Sequence, residues 1–219
     1  MTRDAIAAKV VQNLDDAGSV HFTAQDINDS IQDGYDQIAL RTGCIEKVTT
    51  VNWVANQVFY NFSSLISDYY RVFMIYNQRT KKWIKGVSWR ELRDISYKWA
   101  TLNGESFQWA PMGFSHIAVS RIPTASDSTN PMLVMYSAQA PTLIGDTVPD
   151  FPPDFHTALV EYATGDLLDQ DLEFSKSVKY MSNFEAELRM IQMWMEKRST
   201  PDRIYGLMAL YSAQATRIG

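Results

Sequence analysis

The chain has 219 residues, 46 % of them hydrophobic and 21 % charged, with a formal net charge of −5. A chain of this length buries roughly 70 % of its unfolded surface, so one or two domains can form without disulfides or structural metals. The mild charge names no partner, Cys44 as the only cysteine excludes an internal disulfide, and no apolar run approaches the ~18 residues of a membrane span. The first residues, Met1 to Val11, carry Arg3, Asp4 and Lys9 in place of an uninterrupted signal-peptide core. Together these features predict a protein made and folded in a cytoplasm.

Helical spacing of Ile6, Val10, Val11 and Leu14 predicts a first helix from Thr2 to Asp16, with a stop at Gly18. Thr23 and Asp26 form a capping box with the shorter acid, and Ile27, Ile31, Tyr35 and Ile38 carry a second helix to Thr42-Gly43. Gly34 inside it predicts a close packing contact. Beyond Cys44 the chain becomes rich in β-branched and aromatic residues: Val48, Val51, Trp53, Val54, Val58, Phe59, Tyr60 and Phe62. Tyr70 to Tyr76 and Trp83 to Val87 flank the polar turn Asn77 to Lys82, which predicts a hairpin, and Ser88 with Glu91 caps a short helix from Trp89 to Ile95. Asn103-Gly104 marks a turn. Strands are expected at Phe107 to Ala110, Ile117 to Ser120 and Leu133 to Tyr136, punctuated by Pro111, Pro123 and Pro131, with Thr124 to Asn130 as a solvated loop.

Prolines at 149, 152 and 153 keep the chain extended until a third helix is released at Asp154, with Phe155, Leu159, Ala163 and Leu167 as its buried stripe. After a polar break at Asp169 to Asp171, Phe174, Met181, Leu188 and Met195 recur every seventh residue, thickened by Val178, Phe184 and Ile191. This predicts a fourth helix, on which Glu185 and Arg189 form an i, i+4 pair. Two helices, about a hundred mainly β residues and two more helices amount to an α+β chain. The expected division is a helical bundle from 1–44 and 148–198, an inserted mainly β domain at 45–147, and an extended C-terminal tail at 199–219.

Catalytic motifs are missing from the sequence. His21, His116 and His156 have no ligand spacing, and there is no His-Glu-x-x-His, Cys-x-x-Cys, Gly-x-Ser-x-Gly or phosphate-binding glycine loop. Cys44 reads as a buried structural thiol, His156 as a surface histidine at a helix start, and Asp166, Asp169, Asp171 and Glu173 as a turn leading into a helix. No catalytic residue, metal or cofactor is expected. One charge pattern stands out: Arg71, Arg79, Lys81, Lys82, Lys85, Arg90, Arg93 and Lys98 interleave with Trp83, Trp89, Tyr97 and Trp99. Cations for phosphates and rings for bases suit nucleic acid, while the same residues also fit an aromatic core with a solvated basic turn. At the other end, Arg203, Ile204, Tyr205, Leu207, Met208, Leu210 and Tyr211 form an apolar knot after Pro201, which either folds back or docks into a partner.

The series Trp99-Ala-Thr-Leu-Asn-Gly104, the strand ending at Ile122-Pro123, Leu133 to Tyr136 and the Ala140-Pro141-Thr142-Leu143 linker lead into Pro149-x-x-Pro-x-x-Phe-His-x-Ala-Leu-Val-x-Tyr-Ala163. With Phe22-Thr23 to Gly43 opening the pattern, this order resembles the head-to-tail adaptor, or connector, proteins of tailed bacteriophages. The resemblance implies a virion structural protein, assembled in the host cytoplasm and located at the head–tail interface. It implies a homo-oligomeric ring, usually a dodecamer, beneath the portal protein, which extends the DNA channel and offers a platform to tail or nozzle proteins. DNA would be passing cargo, no membrane would be involved, and the tail from Arg203 to Tyr211 would reach the portal. Arg79, Lys81, Lys82, Trp83, Lys85, Trp89 and Arg90 would then contact neighbouring subunits or tail proteins. The alternative is a nucleic-acid-binding module using the same basic aromatic segment, 79–99.

Overall fold

The structure is a computed structural model that describes residues 1–15, 21–95 and 98–199. It is of the α+β class expected, and among the described residues the contacts divide the chain into two compact units: Met1–Cys44 with Thr142–Gly219, and Ile45–Pro141.

In the first unit, α1 (Arg3–Leu14) begins where the Thr2 hydroxyl accepts the Ala5 N–H, and it closes on Asp15 at φ 55°. The expected stop at Gly18 lies outside the described residues. α2 (Ala24–Thr42) opens with the expected box: the Asp26 N–H donates to Thr23 Oγ1 at 3.2 Å and the Thr23 N–H to Asp26 Oδ2 at 2.8 Å. Gly43 closes it at φ 66°, its N–H reaching the Ala39 carbonyl at 2.9 Å. The proline run ends in a single 3-10 turn, Pro153–Phe155, so α5 (Thr157–Gln170) begins three residues after Asp154. α6 (Phe174–Ser199) is the long last helix.

α5 lies against α1, α2 and α6, with Leu159, Ala163 and Leu167 fully buried. Two glycines set the approach of the helices. A Cβ at Gly34 of α2 would fall 2.8 Å from Cδ1 of Tyr162 on α5, and one at Gly165 would fall 3.1 Å from Met181 Cγ on α6. The close contact expected at Gly34 is thus an aromatic ring laid on bare backbone. Polar groups bridge the same helices: Ser30 Oγ donates to Asp166 Oδ2 at 2.8 Å and Thr157 Oγ1 to Glu187 Oε2 at 2.9 Å. The approach to the proline run is pinned here too, the Leu143 N–H donating to Gln32 Oε1 at 2.9 Å and the Asp150 N–H to the Tyr35 hydroxyl oxygen at 2.8 Å.

Two expectations in this unit are corrected and one is refined. His156 is not at the surface but wholly buried, with Nδ1 2.5 Å from the Met1 amino nitrogen and Nε2 3.0 Å from the Phe151 carbonyl. Glu185 makes its direct contact across the helices, taking the Arg41 guanidinium of α2 in a two-pronged pair at 2.6 and 2.8 Å, with Arg189 on its own helix adding only a longer-range attraction. The buried stripe of α6 is Ser177, Phe184, Leu188, Ile191 and Met195, whereas Phe174 and Val178 are exposed. The seven-residue repeat fails in the first turns, where residue 177, not 174 or 178, is the buried one.

The second unit holds a seven-stranded sheet in the order β1-β7-β3-β4-β5-β6-β2. Its strands are β1 (Glu46–Trp53), β2 (Phe59–Asn61), β3 (Tyr69–Asn77), β4 (Lys82–Gly86), β5 (Gln108–Met112), β6 (His116–Val119) and β7 (Asp127–Ala138). Two short helices accompany them, α3 (Phe62–Leu65), which begins at the end of the β-rich stretch that Phe62 closes, and α4 (Trp89–Ile95). The β3–β4 hairpin forms as expected, with Tyr76 opposite Trp83. The Ser88–Glu91 box caps α4, the Ser88 N–H donating to Glu91 Oε2 at 2.7 Å. β4 and β5 run parallel, and α4 lies in the crossover that parallel neighbours require. Gly86 sits where the Trp109 ring passes, 3.1 Å from the site of a Cβ.

β7 corrects two readings: it begins at Asp127, within the expected loop Thr124 to Asn130, and runs through Pro131. A register break makes this possible. Val51 pairs with Met132 but Trp53 with Asp127, so Pro131 falls in a bulge where its missing N–H costs no ladder bond. Asp127 Oδ1 accepts the Thr129 and Asn130 N–H groups at 2.9 Å and closes the bulge. Pro111 likewise lies inside β5, past the two residues that pair with β4.

Candidate interaction surfaces

The hairpin turn is built by Asn77, a buried side chain whose Oδ1 accepts the N–H groups of Arg79 and Thr80 at 3.0 and 3.3 Å. Lys81 completes it at φ 53°. The turn therefore presents Arg79, Lys81 and Lys82 together at one end of β3 and β4. Not all of that charge is available. Arg79 Nε lies 3.4 Å from Glu105 Oε1, and Arg90 and Arg93 both engage Asp94. Lys81, Lys82 and Lys85 form no salt bridge among the described residues.

The aromatic half of the segment divides between core and surface. Trp99 is buried, with the rings of Trp89 and Phe59 edge-on to it at 5.4 and 5.9 Å. Trp83 is outward and meets Tyr76 at 5.0 Å. Beside it runs a groove of about 510 Å³ lined by Arg79, Lys82, Trp83, Glu105, Phe107 and Arg121. The Arg121 guanidinium sits 5.1 Å from the centre of the Phe107 ring. Glu105, Phe107 and Arg121 come from a distant stretch of chain, and only the parallel β4–β5 pairing and the β5–β6 return bring them here. Glu105 sets a carboxylate in the groove, which weakens it as a phosphate track.

A second surface was not foreseen from sequence. Residues directly opposite in a sheet project from the same face. Val48, Met135 and Met74 form one such row, and Thr50, Leu133, Tyr76 and Trp83 the next. The intervening row, Val134, Ile75 and Ile84, points the other way and is buried. The outward rows leave Val48, Met74 and Trp83 at 56, 45 and 49 % exposure. The uninterrupted apolar run Val72-Phe73-Met74-Ile75-Tyr76 was the available signal, since a strand with one wet face alternates.

A third surface lies in the helical unit. α5 ends in a two-bond motif in which the Leu172 N–H donates to the Asp169 carbonyl at 3.1 Å and the Glu173 N–H to the Leu168 carbonyl at 2.9 Å. The residue at the left-handed position, usually glycine, is Leu172 at φ 61°. It is 72 % exposed, and Phe174 and Val178 of α6 continue the apolar ridge at 56 and 67 %.

The shifts at Asp68 and Tyr136 have structural causes. Burial raises Asp68, but hydrogen bonds from Lys47 Nζ at 2.7 Å and the Tyr136 hydroxyl at 2.8 Å outweigh it and hold the carboxyl below its usual range. Burial, with the adjoining Asp68, pushes Tyr136 up to about 12. No group of three or more metal-ligating side chains occurs among the described residues, and no helix among them is long and apolar enough to cross a membrane. The expected docking residues Arg203, Ile204, Tyr205, Leu207, Met208, Leu210 and Tyr211 lie outside the described residues.

Each of the two units carries exposed apolar side chains among its described residues. The family model of the SU10 adaptor protein matches residues 1–205, and the chain belongs to that family. The resemblance to phage head-to-tail adaptors is thereby borne out, and the protein is a phage adaptor and virion component. No curated protein matches the chain.

Proposed function

We propose that this protein assembles as a closed ring, its helices arranged as a bundle, between the portal protein and the tail or nozzle proteins. The ring extends the DNA channel and offers the tail its attachment platform, with DNA only as passing cargo and assembly in the host cytoplasm. The family match over residues 1–205 carries this reading. The exposed apolar faces on both units support it, because single copies gain little from such surfaces and assemblies use them. In this reading Arg203, Ile204, Tyr205, Leu207, Met208, Leu210 and Tyr211 form the portal-docking segment, and the role is binding without a reaction.

The test is co-sedimentation of the purified chain with cognate tailless, portal-bearing capsids, comparing full length with a chain stopped after Arg198. Saturable binding that is lost on truncation is the expected result. Absence of binding by the intact chain well above micromolar concentration overturns the reading.

A further inference from the structure

A ring built from identical copies repeats one heterologous contact, so each copy must carry two different surfaces that complement each other. We propose that these are the outward sheet face around Met74, Tyr76 and Trp83 and the ridge of Leu172, Phe174 and Val178, the ridge of one copy seated on the sheet face of the next. The inference rests on the ring reading and names its subunit contact.

Three observations select a second copy as the occupant. The apolar parts match in kind: the sheet rows Val48–Met135–Met74 and Leu133–Tyr76–Trp83 offer methionine and aromatic side chains across four strands, and the ridge offers three large side chains standing clear of the helix. Methionine and aromatic residues are the types enriched at interface centres. The borders match in charge. Lys81, in the hairpin turn, and Lys85, two residues from Trp83 on the same face, edge the sheet face and are exposed. Asp169 and Asp171, exposed and without a salt bridge among the described residues, flank Leu172. Glu173 takes up Lys176. Finally, the ridge is held at a local cost: a leucine occupies a left-handed position that glycine would fill without strain, and its side chain is left in water. Neither feature helps the isolated chain, and both are accounted for if Leu172 is buried in the assembly.

The experiment uses the full chain bound to tailless, portal-bearing capsids. Lys81→Glu with Lys85→Glu, and separately Asp169→Lys with Asp171→Lys, are each expected to lower assembly about tenfold, because like charges then face each other. The fourfold variant carrying both pairs restores assembly to within about threefold of the unaltered chain, since the attraction is rebuilt with its signs exchanged. Chains with Met74→Cys and Phe174→Cys, oxidised on the capsid, form a covalent ladder. Leu172→Gly serves as the second variant: it folds at least as well and assembles less. Unaltered chain that binds saturably while the reversals are silent, or the fourfold variant stays defective, and no ladder forms, overturns this contact and leaves the adaptor reading standing. Unaltered chain that fails to bind overturns the adaptor reading and this contact with it.

Discussion

Gly34 and His156 each do work that their neighbours make necessary. Alanine at position 34 gains about 1 kcal/mol of helix propensity over glycine. It also drives a methyl group into Tyr162, whose Cδ1, Cγ and Cβ lie 2.8, 3.1 and 3.2 Å from the new Cβ. These atoms are near the root of the side chain and cannot swing away, so overpacking at about 1–3 kcal/mol prevails. Gly34→Ala is expected to lower the urea midpoint with the slope unchanged, which equilibrium unfolding measures directly. His156 accepts from the Met1 amino group at Nδ1 and donates from Nε2 to Phe151, an arrangement that requires the neutral ring. Burial, chiefly, and the adjoining positive N-terminus hold its pKa below the ordinary 6.5. The unfolded chain therefore binds the proton more readily than the folded one. The stabilisation is complete above about pH 6.5 and is lost as pH falls below it. Unfolding midpoints compared at pH 7.5 and 5.5 should drop for the unaltered chain and drop less for His156→Gln; equal drops would remove His156 as the source.

Helices and strands here begin and end at local signals, and their faces are chosen by neighbours. Thr23 with Asp26 and Ser88 with Glu91 build their boxes from residues three apart, so each needs only its own segment of chain. The turn between α5 and α6 departs from that economy. Replacing Leu172 by glycine relieves a left-handed leucine and should stabilise the isolated chain by about 1 kcal/mol, read as a higher thermal midpoint. A fall in that midpoint would mean that Leu172 contributes packing its exposure does not reveal. Across the helices, Arg41 and Glu185 have ideal geometry, but their side chains are 38 and 44 % exposed. A double-mutant cycle should return a coupling of about 0.5–1 kcal/mol that shrinks with added salt.

Taken entire, the molecule is mildly acidic, and within its basic segment Arg79 pairs with Glu105 while Arg90 and Arg93 share Asp94. In the proposed ring, a conduit for duplex DNA gains from not gripping its cargo, and a net charge of −5 suits that proposal. Single-stranded oligonucleotide is therefore expected to bind the full chain more weakly than about 10 μM at physiological salt, below the reach of a stacking and phosphate groove. Tighter binding, lost on Lys81→Ala with Lys82→Ala and on added salt, would instead make the groove beside Trp83 a nucleic-acid site.

What could be seen in the order of residues was whatever depends on near neighbours: both capping boxes, the glycine stop at Gly43, the β3–β4 hairpin, the alternation of helical and β-rich stretches, and the family pattern from Trp99 to Ala163. Nearest-neighbour chemistry is written directly in the chain, so these survive folding unchanged. Contacts over long separations are not. His156 is buried because Met1 and Phe151 close over it, Glu185 finds an arginine 144 residues away, and Pro131 is admitted to β7 by a register break that belongs to the pairing with β1. The same holds for the contact faces. Met74 and Ile75 are adjacent apolar residues of one strand, and only the sheet, by burying one row and leaving the next outward, makes the first a surface and the second a core.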